Sequence, residues 1–192
     1  MTRAKEMDYI ISGDFIVPRV THILNAMGIV NTSWYTEECA NRGTDIHLLT
    51  MFIDDDLINI NEVAEDLRGY LKAYEKFKKE NKIKVVESET EVIYRNIYGG
   101  HIDRVMEIND EKYIIDIKTG QFVNWHGIQL AAYGLAYDPE LNRAILQLRA
   151  NGRYTFKTSY KGESLSNDFW IDSWKNILMR YYKEIENKEL KI

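Results

Sequence analysis

The sequence predicts one mixed α/β domain in which a central sheet is flanked by helices. Its 192 residues are 45% hydrophobic and 12% aromatic, which is enough apolar material for a single core and excludes a disordered chain. Apolar residues recur at helical spacing before residue 80, and apolar and polar residues alternate after it. Because no Gly/Ser-rich linker or repeat interrupts the chain, residues 1–192 are expected to form a single domain.

Helices are expected to dominate the first 80 residues. A proline at position 18 and Gly28 predict a helix over residues 18–27, since proline favours the start of a helix and glycine its end. A second helix is expected over 33–53. Apolar residues at helical spacing predict a third over 60–79. The N-terminal part of the domain, residues 1–82, is therefore expected to be mainly helical.

The pattern then changes to one typical of strands. The remaining predicted elements are strands over 83–94, 102–108 and 113–117, a helix over 124–137, a hairpin over 144–160 that turns at Asn151-Gly152, and a helix over 168–186. Residues 83–160 should form the sheet core, and 161–192 should carry the C-terminal helix. This order of elements is typical of a sheet covered by helices.

Composition excludes several functional classes. No apolar run is long enough to span a membrane, and charged residues appear too early at the N-terminus for a secretory signal. A single cysteine, Cys39, excludes a disulfide framework and a Cys-ligated zinc or iron–sulfur site within the chain. The net charge of −5 argues against coating nucleic acid by bulk charge. A cytoplasmic protein is expected.

Two aspartates on neighbouring predicted strands suggest the chemistry. If Asn109-Asp110 form a two-residue loop, Asp103 lies opposite Asp116, and Lys118 shares their face. Carboxylates this close need a shared proton or a cation, and Mg²⁺ prefers such oxygen ligands. The alternative is a solvated Asp–Lys ion pair. The apolar strand around Asp116 disfavours it, because an unpartnered charge there is expensive.

Three further features supply matching chemical groups. His47 on the second predicted helix lies over Gly43, which leaves room beside the imidazole for a metal. Gln129 and Tyr133 share one face of a later helix. Each also has an ordinary interpretation, as a packed histidine or as the polar edge of an amphipathic helix. An acidic ligand is available from the preceding strand, where three glutamates share a face: Glu87, Glu89 and Glu91.

Taken in order, these motifs resemble the PD-(D/E)XK nuclease superfamily, most closely its RecB-like exonuclease branch of phage and prophage type. The resemblance covers about residues 40–137. The motifs that carry it are Gly43-x3-His47, Glu89, Gly100-x2-Asp103, Asp116-x-Lys118 and Gln129-x3-Tyr133. It implies a restriction-endonuclease-like fold with a central mixed sheet and flanking helices.

The resemblance also implies a role for each matching residue. The implied metal ligands for Mg²⁺ or Mn²⁺ are Asp103, Asp116, the Ile117 carbonyl, His47 and, nearby, Glu89. Lys118 would be the catalytic lysine, and Gln129 and Tyr133 would support it and contact DNA. The iron–sulfur members of this branch use four cysteines, so this chain resembles the members without a cluster. It also lacks a P-loop and a fused helicase motor.

Basic residues suggest where DNA would lie. Four of them surround the predicted hairpin: Arg143, Arg149, Arg153 and Lys157. We favour this stretch over a second one at residues 68–84, because it follows the Gln129–Tyr133 helix directly. For both stretches the alternative is a solvated charged surface.

The expected function is that of a Mg²⁺- or Mn²⁺-dependent DNA exonuclease in phage-type recombination, repair or replication. A single-strand annealing protein is a natural partner for the family, and a phage-encoded enzyme would act in the host cytoplasm. The alternatives are an endonuclease or nicking enzyme on the same fold, a catalytically silent DNA-binding protein, and an unrelated α/β protein. Polarity, strand preference, the number of metal ions and the oligomeric state stay open.

Overall fold

The computed structural model describes residues 8–30 and 36–187. The helices in this part of the chain are α1 (Val20–Ala26), α2 (Glu37–Asp54), α3 (Glu65–Glu80), α4 (Asn124–Tyr137) and α5 (Asp168–Glu186). The strands are β1 (Tyr9–Ser12), β2 (Phe15–Pro18), β3 (Ile83–Tyr94), β4 (Tyr98–Ile108), β5 (Glu111–Lys118), β6 (Asn142–Leu148), β7 (Tyr154–Lys157), β8 (Ser159–Tyr160) and β9 (Glu163–Ser164). None of the described helices is long and apolar enough to cross a membrane.

A five-stranded mixed sheet forms the centre of the molecule, with strand order β3-β4-β5-β6-β7. Only the β5–β6 pair within it is parallel. A parallel pair needs a crossover connection, and α4 supplies it between β5 and β6. The expected α/β architecture is therefore confirmed.

Helices cover both faces of the sheet, so its central strands are apolar on both sides. One core cluster packs α1, α4 and α5 against the sheet, and Leu130 and Trp174 are fully buried in it. The other packs α2 and α3 against the opposite face, with Phe77 and Ile117 fully buried. Burial of this kind contributes about 25 cal/mol per Å² of apolar surface.

Most predicted sheet-region elements are confirmed. The first long strand, α4 and α5 have the predicted bounds, while β4 and β5 extend beyond the predicted segments. Asn151 and Gly152 lie in the turn between β6 and β7, where Leu148 pairs with Tyr154. Gly152 has a φ of +76°, a conformation that glycine adopts without steric cost.

The expectation of a mostly helical N-terminal region was wrong in its first residues. Residues 9–18 form the β1–β2 hairpin, and Pro18 ends a strand where a helix start was predicted. Ile10 pairs with Val17 and both are buried, whereas Ile11 pairs with Ile16 and both are exposed, as expected for cross-strand partners that share a face. Proline is tolerated at the strand end because its missing N–H is not needed there.

Two helix boundaries also differ from expectation. The segment predicted as one helix over 60–79 is split into a 3₁₀ turn (Ile60–Glu62) and α3, because Val63 adopts an extended conformation. The second predicted helix begins at Glu37, where the Thr36 side chain accepts a hydrogen bond from the backbone N–H of Cys39. Its predicted start at residue 33 lies outside the described residues.

Candidate metal centre

The turn between β4 and β5 sets the register that brings the two aspartates together. Asn109 and Asp110 have φ values of +51° and +70°, as a two-residue type I′ turn requires. Ile108 consequently pairs with Glu111. The ladder continues to Arg104, opposite Ile115. Extended by one step, this register would set Asp103 opposite Asp116, and the Asp103 carboxylate indeed reaches the backbone N–H of the residue after Asp116.

Asp103 is held by two groups from different elements. Its Oδ2 accepts a hydrogen bond of 2.6 Å from the backbone N–H of Ile117. Its Oδ1 lies 3.4 Å from Nδ1 of His47, which projects from α2. Burial raises the pKa of Asp103, but the His47 imidazole and the Lys118 ammonium outweigh burial and lower it. Asp103 is therefore ionised at neutral pH.

His47 bridges α2 to the end of β5. Its Nε2 lies 2.9 Å from the carbonyl oxygen of Ile117, to which it donates a hydrogen bond. Burial alone lowers the pKa of His47, but the Asp103 carboxylate outweighs burial and raises it to about 9. Both ring nitrogens thus face acceptors, and the imidazole is charged.

Asp116 has a buried oxygen that no hydrogen bond satisfies. Its Oδ1 accepts a 2.8 Å bond from Lys118 Nζ, whereas its Oδ2 lacks a hydrogen-bond partner among the described residues. The residue is 3% exposed. Burial raises its pKa to about 6 despite the opposing Lys118 ammonium, and the charge of Asp103 adds to the rise. An orphaned buried carboxylate oxygen is costly and suits a cation ligand.

Glu89 completes an acidic cluster with His47 and Asp103. One potential ligand atom from each of the three lies within 4.8 Å of those of the other two. Glu89 has a φ of +49°, so the backbone of β3 is distorted at the position that turns its carboxylate toward the cluster. Burial raises its pKa, and the neighbouring Asp103 adds to the rise.

The two competing glutamates have other partners. Glu87 accepts hydrogen bonds from Thr90 and Tyr137. Glu91 lies 3.6 Å from His101, whose other ring nitrogen is 2.8 Å from Arg19. Of the three glutamates, the structure therefore brings Glu89 into the cluster.

These residues fit a divalent metal ion. The available donors are carboxylate oxygens of Asp103, Asp116 and Glu89, the Ile117 carbonyl and the His47 imidazole. Carboxylate and carbonyl oxygens are typical ligands of Mg²⁺ and Mn²⁺, and imidazole favours the transition metals. The orphaned Oδ2 of Asp116 is the structural observation that supports this fit.

Lys118 is connected to α4 through a chain of hydrogen bonds. Its Nζ lies 3.5 Å from Oε1 of Gln129, and Nε2 of Gln129 donates a 2.9 Å bond to the Tyr133 hydroxyl. Gly100 permits this packing, because a Cβ there would lie 2.4 Å from the Tyr133 ring. The i,i+4 pair on α4 thus lies beside the lysine, in the arrangement that the motif resemblance implied.

Two predicted DNA contacts need correction. Arg143 is 0% exposed and lies against Gly134 of α4, so its guanidinium cannot reach a phosphate group at the surface. Tyr133 is 5% exposed, and its hydroxyl is bonded to Gln129. Its position suits support of the lysine better than contact with DNA.

The other predicted basic residues have solvent access. Arg149 and Arg153 are exposed at the β6–β7 turn, and Arg149 donates hydrogen bonds to Gln147 and Thr155. Lys157 is partly buried, with its Nζ 4.3 Å from the centre of the Phe122 ring. Because β5 and β6 are parallel, their carboxyl ends lie side by side. Arg149, which follows β6, is therefore at the same end of these strands as Lys118.

Sequence reasoning missed a buried ionic network beside Asp103. Arg104 is fully buried and donates hydrogen bonds to Asp54 (2.8 Å), to Thr50 (3.1 Å) and to the carbonyl oxygen of Asp103 (2.6 Å). The sequence does contain a signal for this network. Thr50 and Asp54 follow His47 at i+3 and i+7, so all three lie on one face of α2. An arginine within an apolar strand also requires partners.

Trp125 and His126, at the start of α4, were not among the predicted site residues. The Lys118 ammonium lies 5.6 Å from the centre of the Trp125 ring, a cation–π distance. Burial and the Lys118 charge lower the pKa of His126 to about 2, so its ring is neutral. The side chain instead accepts a hydrogen bond from the backbone N–H of Val123.

Comparison with known families agrees with this geometry. Residues 35–192 match the model of the PD-(D/E)XK nuclease superfamily. No curated protein sequence matches the chain significantly.

Proposed function

We propose that this chain, which belongs to the PD-(D/E)XK nuclease superfamily, is a Mg²⁺- or Mn²⁺-dependent DNA exonuclease. The observation that carries the proposal is the convergence of Asp103, Asp116 and Lys118 at one sheet edge, with a buried oxygen of Asp116 that lacks a hydrogen-bond donor. The RecB-like assignment and the exonuclease activity rest on the motif resemblance. A role in phage-type recombination, with a single-strand annealing partner in the cytoplasm, rests on it too.

The proposed metal ligands are Asp103, Asp116 and the Ile117 carbonyl, with His47 and Glu89 beside them. When bound, the metal ion would lower the pKa of a coordinated water and offset negative charge on the phosphate group. Asp103 is already oriented by the Ile117 N–H, so little reorganisation of this ligand is required. His47 would have to release a proton, because a ligand imidazole is neutral.

Lys118 is the proposed catalytic residue for phosphodiester hydrolysis. Its ammonium is shared between Asp116 and Gln129 and is thereby held close to both carboxylates. From this position it can donate a hydrogen bond to a phosphate oxygen and stabilise the charge that develops there. Gln129 and Tyr133 act as positioning residues that restrict its rotation.

The DNA backbone is proposed to follow the sheet edge from Lys118 toward the β6–β7 turn. Arg149 and Arg153 are the exposed cations there, and Lys157 lies on the neighbouring strand. Phosphate contacts of this kind supply affinity that falls steeply with salt. Replacing Arg149 or Arg153 should therefore weaken binding and reduce its salt dependence.

The direct test is digestion of end-labelled linear and closed circular DNA with Mg²⁺, Mn²⁺ or EDTA. Linear DNA should be degraded from its ends only with metal, and Lys118→Met and Asp116→Asn should lose at least about 100-fold in rate. Asp172→Asn, at an exposed position on α5, is the matched control and should keep full activity. Cleavage of circular DNA would indicate an endonuclease. Equal activity in wild type and both variants would overturn the assignment.

A further inference from the structure

A groove between α2 and β3 opens directly from the candidate metal centre. It has a volume of about 450 Å³, and its lining residues are Gly43, Thr44, His47, Leu48, Met51 and Glu89. The residues from α2 form one continuous stripe along the helix. His47 and Glu89 belong both to the groove and to the acidic cluster, so a ligand in the groove would touch the candidate metal centre.

Gly43 lines the groove at a position where packing within the described structure does not require a glycine. It lies inside α2, where glycine is about 1 kcal/mol less favourable than alanine. A Cβ added at Gly43 would meet no atom of the described structure within 4 Å. By contrast, a Cβ at Gly69 in α3 would collide with the Ala150 backbone. Close packing explains the second glycine, whereas at the first the described residues leave open space that a larger side chain would fill.

The exposed side chains of the groove favour a partly apolar ligand without a negative charge. Leu48 is 46% exposed although it is a large apolar side chain, and Met51 lies one turn further along α2. Among the described lining residues there is no lysine or arginine, and the charge of the His47 imidazole is already paired with Asp103, so Glu89 would repel a phosphate group. The sugar and base of a nucleotide fit these walls, whereas its phosphate does not.

We propose that this groove binds one unpaired nucleobase next to the phosphate that reaches the metal centre. The proposal rests on the nuclease function and adds a substrate class: single-stranded DNA or a frayed duplex end. Sites for small ligands typically enclose about 300–1,000 Å³. The volume of the groove lies within this range, and a paired base must leave the duplex to enter a pocket of this kind.

The test compares DNA with and without bases. Fluorescence anisotropy measures binding of a labelled single-stranded oligonucleotide and of an abasic deoxyribose-phosphate oligomer of equal length and charge. EDTA in the buffer prevents hydrolysis. Stacking of one base on an aromatic side chain is worth about 5- to 100-fold in affinity, and contact with the aliphatic walls of this groove should lie at the low end of that range. In Gly43→Leu, whose side chain would fill the groove, the preference for the base-containing strand should fall about 5- to 10-fold.

Two further variants test whether the apolar wall of the groove contacts the base. Leu48→Ser removes an exposed apolar wall without filling the groove, and it should reduce the same preference. Leu57→Ser is the matched control, because Leu57 is 67% exposed and does not line the groove. Melting temperatures establish that each variant is folded.

The possible outcomes separate the two proposals. A reduced preference in Gly43→Leu and Leu48→Ser, with Leu57→Ser unchanged, supports the groove as a base-binding site. An equal preference in all four proteins overturns it, whatever the result of the digestion assay. A wild-type protein that binds neither oligomer also overturns the groove as a base-binding site, and the digestion assay then decides the nuclease proposal separately.

Discussion

The Nε2 atom of His47 lies 2.9 Å from the carbonyl oxygen of Ile117, and its Nδ1 lies 3.4 Å from Asp103. The imidazole therefore donates a hydrogen bond to one oxygen atom that is proposed to bind the metal ion and forms an ion pair with another. A protonated His47 and a bound metal ion would occupy the same oxygen atoms. Protonation of His47 and metal binding should therefore compete.

Metal affinity is accordingly expected to rise with pH. Burial lowers the pKa of His47, but Asp103 outweighs burial and raises it to about 9, so one proton must leave below this pH when the metal binds. The apparent Kd for Mn²⁺, measured by isothermal titration calorimetry between pH 6.5 and 8.5, should decrease about tenfold per pH unit. In His47→Asn this dependence should disappear. A wild-type Kd that does not change with pH would contradict the prediction.

Asp116→Asn should stabilise the metal-free protein. Burial raises the pKa of Asp116 to about 6, above its unfolded value, so the native carboxylate is destabilising above pH 6. The neutral amide removes this penalty, and its oxygen can still accept the Lys118 hydrogen bond. At pH 8 in EDTA we expect a gain of about 1–2 kcal/mol in the free energy of unfolding.

The same variant should lose its response to metal. Saturating Mn²⁺ at 100 times its Kd stabilises a protein by about 2.7 kcal/mol, or several degrees in Tm. Thermal melts with and without Mn²⁺ measure both effects for wild type and Asp116→Asn. A lower Tm for the variant in EDTA, or an unchanged metal response, would be inconsistent with the site.

Two glycines inside helices should respond oppositely to alanine. At Gly69 a Cβ would lie 1.7 Å from the carbonyl oxygen of Ala150, so α3 or the β6–β7 turn must shift. We expect Gly69→Ala to destabilise the fold by about 2 kcal/mol or more. Gly43→Ala meets no neighbour and should stabilise it by about 1 kcal/mol. Urea unfolding of both variants checks the difference, and equal effects would refute this account of their packing.

Arg104 should matter for stability far more than the lysine that shares its partner. Arg104→Met leaves Asp54 without its buried guanidinium, and breaking a buried pair typically costs about 3–5 kcal/mol. Lys78 also contacts Asp54, but it is partly exposed, so Lys78→Met should cost much less. Urea unfolding compares the two. Similar losses would show that the burial of Arg104 is not decisive.

The sequence predicted the sheet region well because local signals there agree with tertiary structure. The Asn109-Asp110 turn fixed the register of β4 and β5 and thereby the approach of Asp103 to Asp116. Periodicity identified β3, α4 and α5. It identified no element over residues 9–17, where the β1–β2 hairpin lies, and the helix predicted over 18–27 is present as α1 but begins at Val20, because Pro18 ends a strand.

The missed and misplaced residues depend on packing, which spacing does not reveal. Arg143 stands in a basic stretch, yet its strand lies beneath α4, and this burial follows only from the crossover. Arg104 was overlooked because its partner Asp54 is 50 residues away in the chain. Contacts at such separation are set by how α2 lies on the sheet.

The distortion of β3 has a consequence for solubility. This twelve-residue strand lies at one edge of the sheet, and long, regular edge strands invite pairing with other molecules. A register shift between Val85 and Glu87 and the positive φ of Glu89 interrupt its exposed hydrogen-bonding row. The irregularity at Glu89, a member of the candidate metal cluster, therefore also makes this edge strand a poorer template for pairing with another molecule.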